Sequence, residues 1–255
     1  VEVMFIDLIG VCYDQIINQA AKMHYMMGGK VNLPMVIRTT YGTRGDKRSY
    51  GGGAAAPHSQ TLYATLAHVP GLKVVVPSTA YNAKGLTIAA IRDEGPVVML
   101  EHKFLGISAK SHVPADPYTL PIGKAEIVRK GKDVTLAGIG RMTHVCLEAA
   151  AVLAKEDGLS AEVIDVLTIA PLDEATLLES VSRTHRMVVA DEDHATGSMA
   201  RDIAARIMEQ AFDYLDAPIK TGTAPDTPVP FAAVLEALYT PRAEQVVAAV
   251  RAQVR

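Results

Sequence analysis

Leu72-Lys73-Val74-Val75-Val76-Pro77-Ser78-Thr79 is the stretch that decides the fold. It opens with a continuous apolar run, the pattern of a parallel strand buried on both faces. Pro77-Ser78-Thr79 then starts a helix, with Ser78 or Thr79 available as its cap. Ala83, Leu86, Ile88, Ala89 and Ile91 carry that helix to about Arg92. Asp93-Glu94-Gly95-Pro96 is a turn, and Val97-Val98-Met99-Leu100 is a second apolar strand. Upstream, residues 34–39 read as a strand and 58–68 as a helix closed by Pro70-Gly71. Strand, helix, strand, helix, strand is the succession of an α/β fold, a parallel sheet covered by helices on both faces.

Further out on the N-terminal side, Ile9, Cys12, Tyr13, Ile16, Ile17, Ala20 and Met23 recur at helical spacing. They predict one buried helix over residues 8–27, ended by Gly28-Gly29. On the C-terminal side the periodicity fails from 106 to 121, where Ser108, Ser111, Pro114, Pro117 and Pro121 mark an irregular linker. A second alternating unit then begins. Strands are expected at 133–139, 161–166, 186–190 and 217–222. Helices are expected from Gly140 to Lys155, from Pro171-Leu172-Asp173-Glu174 onward, and over 197–209, 232–239 and 243–254. The expected division is a domain over 1–105, a linker over 106–120 and a second α/β domain over 121–255.

Composition narrows the function classes. The 255 residues suffice for one large or two modest domains with full cores. The net charge of −3 and a calculated pI near 6.3 argue against nucleic-acid binding, which needs a basic face. No apolar run reaches the length of a spanning helix, so no membrane segment is expected. The two cysteines, Cys12 and Cys146, read as small buried hydrophobes rather than a disulfide or a nucleophile. The first residues, Val1-Glu2-Val3-Met4-Phe5-Ile6, carry no basic start and read as the middle of a domain; the expected location is cytoplasmic.

The loop Gly42–Gln60 is rich in glycine and alanine, which lets a backbone approach a ligand, and it ends at a titratable side chain, His58. At the start of the expected helix His58 could act as an acid/base group; it could equally be a capping or surface histidine. Arg44, Lys47 and Arg48 form either an anion-binding patch or solvated loop charges. Gly138-Ile139-Gly140 lacks the third glycine of a dinucleotide fingerprint and reads as a tight strand-to-helix turn. Asp191, Glu192, Asp193 and His194 follow a strand, where a carboxylate–histidine cluster could hold a metal or move protons. An interface or capping role fits the same four residues. The helix end and turn at Ala90, Ile91, Asp93 and Gly95 could hold a cation on its carbonyls.

Taken together, several stretches carry a resemblance. They include Glu2-Val3-Met4-Phe5, Asp14-Gln15-Ile16, Asn18-Gln19-Ala20-Ala21-Lys22, His58-Ser59-Gln60, Pro70-Gly71-Leu72-Lys73-Val74-Val75 and Ala83-Lys84-Gly85-Leu86. Ala90-Ile91-Arg92-Asp93, Glu101-His102-Lys103, Pro171-Leu172-Asp173 and Thr227-Pro228-Val229-Pro230 continue the series. The chain resembles, along nearly its whole length, the beta subunit of the thiamine-diphosphate-dependent dehydrogenase component of pyruvate, acetoin and other 2-oxo acid dehydrogenase complexes. Glu101-His102-Lys103 and Tyr41-Gly42 lean toward the acetoin enzymes.

The resemblance implies a transketolase-like pyrimidine-binding domain, lacking its N-terminal part, followed by a transketolase C-terminal domain. It implies thiamine diphosphate shared with an alpha subunit that holds Mg²⁺ and the diphosphate, in an α2β2 assembly docked on a dihydrolipoyl acyltransferase core. The implied reaction cleaves acetoin, or decarboxylates pyruvate or another 2-oxo acid, and passes the acyl unit to a lipoyl group. His58 matches the proton-transferring loop histidine; Met4, Leu8 and Val11 match positions lining the pyrimidine, with leucine at Leu8 where an aromatic is common. Met35, Ala90, Ile91 and Gly95, with Asp93 nearby, match the carbonyl cage of a structural K⁺. Two departures stand out. The activating glutamate of the family lies upstream of the region matching Val1, and Arg44–Gly53 lengthens the loop while Pro57 replaces a common glutamine. The alternative is a non-catalytic assembly subunit with the same fold.

Overall fold

The computed structural model describes residues 1–44, 54–108 and 110–254. Lys47, Arg48 and the rest of the long loop from 45 to 53 lie outside the described residues. The chain forms two compact units. The first comprises Val1–Gly123, Thr168–Pro171 and Pro228–Ala237; the second comprises Lys124–Leu167, Leu172–Thr227 and Leu238–Arg255.

The first half of the chain runs β1 (Glu2–Phe5), α1 (Met23–Met26), β2 (Val36–Tyr41), α2 (Tyr63–Ala67), β3 (Lys73–Val75), α3 (Ala80–Ile91), β4 (Val97–His102) and α4 (Leu105–Ser108). The second half runs β5 (Glu126–Arg129), β6 (Val134–Gly138), α5 (Arg141–Glu156), β7 (Ala161–Asp165), β8 (Thr168–Ala170) and α6 (Glu174–Thr184). It continues with β9 (Met187–His194), α7 (Met199–Ala211), β10 (Lys220–Ala224), α8 (Ala233–Tyr239) and α9 (Ala243–Arg251).

In the first unit the sheet has the strand sequence β1-β2-β4-β3-β8. The first three pairings are parallel; β8 lies antiparallel on β3, with Val74 opposite Ala170. Val74, Val75, Val97, Val98, Met99 and Leu100 are fully buried, as strands covered on both faces require. The predicted helix starting at Pro77-Ser78-Thr79 is α3: the Asn82 amide donates to Thr79 Oγ1 at 3.0 Å. A threonine cap of this kind is worth about 1 kcal/mol. Arg38 on β2 donates through Nε and Nη2 to the two carboxylate oxygens of Glu101 on β4, both at 2.9 Å.

The second unit repeats the plan, with the strand sequence β10-β9-β6-β7-β5 and β5 antiparallel on β7. Leu136, Val163 and Val188 on its strands pack with Met142, Cys146 and Leu153 of α5 and Val246 and Val250 of α9. Both cysteines are free, Cys146 buried and Cys12 half-buried. The Gly138–Gly140 segment is the tight turn expected: a Cβ on Gly138 would lie 2.5 Å from the Thr143 backbone.

Two predicted helices are different in the structure. The single helix expected over 8–27 is a 3₁₀ helix over Ile6–Cys12, a π-helix over Gln15–Ala20 and the short α1. Ile6 and Ile9, both buried, stand three residues apart, the spacing that eclipses on a 3₁₀ helix. The helix expected over 58–68 is reduced to a 3₁₀ turn over Ala56–His58 and the five-residue α2. Gln60 accounts for the break. Its amide and its side chain both donate to Asp7 Oδ1, at 3.0 and 2.9 Å, and its carbonyl accepts from the Gly42 amide at 3.2 Å. His58 therefore closes a 3₁₀ turn rather than opening an α-helix.

Candidate functional site

β1 leads directly into the Ile6–Cys12 turn, and this corner presents apolar side chains outward. Met4 is 65% exposed, Leu8 43% and Val11 92%. Exposed large apolar groups clustered on one corner mark a surface that meets something. The turn that carries His58 packs beside the Ile6–Cys12 helix. The His58 ring meets the Phe5 ring edge-on, with centroids 4.8 Å apart. His58 thus stands on Phe5 at the end of β1, while Met4 lies one residue earlier on that strand and Leu8 and Val11 lie on the 3₁₀ helix that follows it.

The carboxyl ends of the interior strands β2 and β4 are held together by aromatic packing. Tyr41, the last residue of β2, pairs in register with His102, the last residue of β4. Their rings meet edge-on at 5.0 Å, and Tyr63 closes on Tyr41 at 5.4 Å. His102 Nδ1 accepts the Phe104 amide at 3.1 Å, which leaves the ring proton to Nε2 in the neutral form. A hollow of about 200 Å³ lies at the carboxyl ends of β3 and β4, lined by Ser78, Thr79, Glu101, His102 and Leu105. The carboxyl ends of parallel strands are where α/β folds gather ligands.

The cation-binding candidates fall at the opposite end of the same sheet. The Leu33 amide donates to Glu94 O at 3.0 Å and the Val97 amide to Met35 O at 2.9 Å. Met35 thus runs beside the turn that follows α3; Ala90 and Ile91 end that helix, and Asp93 and Gly95 lie in the turn. The Ala90 carbonyl accepts the Asp93 amide at 3.3 Å. The Asp93 carboxylate is engaged by Lys73 Nζ at 2.6 Å and by the Gly95 amide at 2.8 Å. What remains for an ion in this turn is backbone carbonyl oxygen.

Arg44 donates its amide to Glu236 Oε1 at 3.0 Å. In the second unit, Asp191, Glu192 and Asp193 are buried at the end of β9. Asp191 accepts the Asp193 amide on Oδ1 and the Ala200 amide on Oδ2, each at 3.0 Å, so it caps the first turn of α7. Arg141 approaches Glu192 at 3.9 Å, and His194 Nδ1 lies 3.0 Å from Asp193 Oδ1. Burial pushes the Asp193 carboxyl up to about 8, with help from the neighbouring Asp191 charge. Burial and the same acids push the Tyr239 phenol up to about 12. Among the described residues no group of three His, Cys, Asp or Glu side chains could hold a metal ion. Of the two readings of the 191–194 cluster, the capping one has a hydrogen bond behind it.

Two family patterns match the chain: the transketolase pyrimidine-binding domain over residues 1–106 and the transketolase C-terminal domain over 123–246. The acetoin:2,6-dichlorophenolindophenol oxidoreductase subunit beta of Cupriavidus necator is 52% identical over 250 residues, 98% of this chain and 71% of the relative. Its Bacillus subtilis counterpart is 50% identical over 246 residues, 96% of this chain and 69% of the relative. The chain belongs to the transketolase-type beta-subunit family of acetoin, pyruvate and 2-oxo acid dehydrogenases. The pyruvate dehydrogenase E1 component subunit beta of Rhizobium meliloti is 45% identical, over 99% of this chain and 53% of the relative. Among solved structures, a split-gene transketolase described as an inactive beta4 tetramer shares the fold, with a TM-score of 0.76 at 24% identity over 99% of this chain and 74% of that one.

This beta subunit is thus an oxidoreductase subunit of a thiamine-diphosphate-dependent family. The exposed Met4, Leu8 and Val11 side chains offer aliphatic and thioether contact area of the kind on which a flat heteroaromatic ring could pack. Phe5, Gln60 and Lys103 stand in the stretches that carry the resemblance, and Asp7 does not, but the sequence assigns none of them a contact with the His58 turn. Their contacts span up to 53 residues of chain, and no local pattern encodes them.

Proposed function

We propose that this beta subunit supplies the pyrimidine-facing half of an active site that cleaves acetoin, or in a second reading decarboxylates pyruvate or another 2-oxo acid, and passes the acyl unit to a lipoyl group. The observation that supports this is the edge-on packing of His58 on Phe5, next to the exposed Met4 in sequence, in a chain half identical to two acetoin oxidoreductase beta subunits. Bound thiamine diphosphate supplies the electron sink for breaking the bond beside a carbonyl. Met4, Leu8 and Val11 pack on the ring and exclude water from one of its faces. His58 transfers a proton beside the reacting carbon through its imidazole.

The proposed partner is an alpha subunit, in an α2β2 assembly, which holds Mg²⁺ and the diphosphate. The acyl acceptor is the lipoyl group of a dihydrolipoyl acyltransferase core, and the assembly works in the cytoplasm. The carbonyls of Met35, Ala90, Ile91 and Gly95 are the proposed cage of a structural K⁺, with Asp93 beside it.

The test is to co-express the full-length subunit with its alpha partner and follow dichlorophenolindophenol reduction with acetoin, pyruvate and branched 2-oxo acids, with and without thiamine diphosphate. Acetoin-dependent, cofactor-dependent turnover is expected. His58→Ala is expected to lower that turnover by about a hundredfold or more, leaving a measurable residual rate, while the assembly stays intact by mass. An intact heteromer inactive with every substrate would retire the enzymatic reading in favour of a scaffold subunit.

A further inference from the structure

We propose that Lys103 is a positioning residue that holds His58 in its working place. This rests on the reading of His58 given above and adds a residue to that site. Lys103 follows β4 directly, and its amide donates to Tyr41 O at 3.1 Å, so its backbone belongs to the rim of the sheet. From there its ammonium donates to the carbonyl of His58 and lies 3.4 Å from Ser59 Oγ. The same ammonium sits 5.4 Å from the centroid of the Phe5 ring, which the His58 ring meets edge-on. Lysine, phenylalanine and histidine thus form one stack in which the cation touches both neighbours of the imidazole, its backbone and its aromatic support.

The turn needs such a hold. Ala55, its first flanking residue, has φ +61 and ψ −177, a backbone conformation that glycine adopts readily and alanine does not. Strain of this kind persists only where surrounding contacts over-determine it. Asp7 and Gly42 fix Gln60, two residues further on. Among the described residues, the polar contacts of His58 itself are its own amide to Ala55 O, at 3.1 Å, and its carbonyl to Lys103. Without the ammonium the strained turn is free to relax, and the imidazole moves with it. Misplacing a reacting group by about 1 Å costs up to roughly a hundredfold in rate.

The experiment uses the assembled alpha–beta enzyme and the acetoin-dependent dye assay. Lys103→Met is expected to lower kcat at least about tenfold, with KM for acetoin and the thiamine diphosphate concentration for half-activity within about twofold of wild type. Lys103→Arg, which keeps a cationic donor, is expected to recover most of kcat. In a double-mutant cycle, H58A/K103M is expected to be no slower than H58A alone, because Lys103 acts through His58. Should K103M fail to assemble, Lys103→Gln is carried through the same cycle. Wild-type kcat in the Lys103 variant, or a multiplicative loss in the double variant, overturns the proposal. A fully active H58A instead retires the role given to His58, whatever Lys103 does.

Discussion

The Lys73 ammonium lies 2.6 Å from Asp93 Oδ2 and 2.7 Å from Oδ1, joining the first residue of β3 to the turn that follows α3. The lysine side chain is 40% exposed and the aspartate 16%, so water screens the pair from one side. Lys73→Met is therefore expected to cost about 1 kcal/mol or less. Asp93→Ala also leaves the Gly95 amide without its acceptor and is expected to cost more, about 1–3 kcal/mol. Urea denaturation of the two variants checks the ranking; equal losses would assign the whole effect to the ion pair.

Because Lys73 and the Gly95 amide already engage the Asp93 carboxylate, an ion in this turn would rest mainly on carbonyls. Such a site favours a large monovalent cation over a hard divalent one. Titrating KCl at constant ionic strength against tetramethylammonium chloride is expected to raise the melting temperature in a saturable way. A flat response would remove K⁺ from the proposal for Met35, Ala90, Ile91 and Gly95.

Asp193 gives a pH dependence of definite sign. Its folded-state value, about 8, lies above the ordinary carboxyl value of 3.8, chiefly because of burial and then because of Asp191. The folded chain therefore holds a proton that the unfolded chain has released. The stabilisation is complete below the ordinary carboxyl value and is lost as pH rises toward and through about 8. Asp193→Asn keeps the shape without the charge. Its melting temperature relative to wild type is expected to climb between pH 5.5 and 8.5, and parallel curves would contradict the assignment.

In the second unit a buried chain of hydroxyls ties α6 to the sheet. Thr135 Oγ1 is 2.6 Å from both Ser180 Oγ and Thr184 Oγ1, and Ser180 donates to Glu162 Oε1 at 2.6 Å. Arg183 Nη2 donates to the same Glu162 oxygen at 2.7 Å, and Glu162 is 2% exposed. Arg183→Met would leave the buried Glu162 carboxylate with Ser180 as its close donor and is expected to cost about 1–3 kcal/mol, more than the surface change Arg206→Met. Combining it with Glu162→Gln is expected to recover part of the loss. Chemical denaturation of the three variants decides the matter.

The sequence disclosed elements whose reason for folding is local. Val74–Val76 and Val97–Leu100 are apolar without interruption because both sheet faces are covered, and that pattern needs no knowledge of partners. Thr79 as cap of α3 was one of two adjacent readings, and the Asn82 amide selects it. The strands β1, β5 and β8 gave no such signal. Each lies at the edge of its sheet, β1 and β5 alternate or expose their side chains, and β8 has only three residues. Their identity is set by the neighbour they pair with.

The same division applies to the site. His58 could be named from residue type and loop context. Its supports could not, because Lys103 reaches it from 45 residues away and Asp7 reaches Gln60 from 53 residues away. The helix expected from His58 onward failed for the same reason: Gln60 spends its amide and its carbonyl on distant partners rather than on the next helical turn. The Ile6–Cys12 segment shows a subtler loss. Its apolar residues fit a helical period in general, and only the burial of Ile6 and Ile9 together selects the tighter 3₁₀ form.

The first unit gathers residues from three separate parts of the chain, the last being Pro228–Ala237. On the ribosome the chain emerges from its N-terminus, and domains generally close as they appear. Here β3 must wait for Thr168–Ala170 before its outer edge is covered, and Arg44 must wait for Glu236. By then most of the second unit has already left the exit tunnel. Completion of the first unit is therefore a late event in synthesis, and a nascent chain stalled before residue 168 would carry an open β3 edge to the chaperones that meet it.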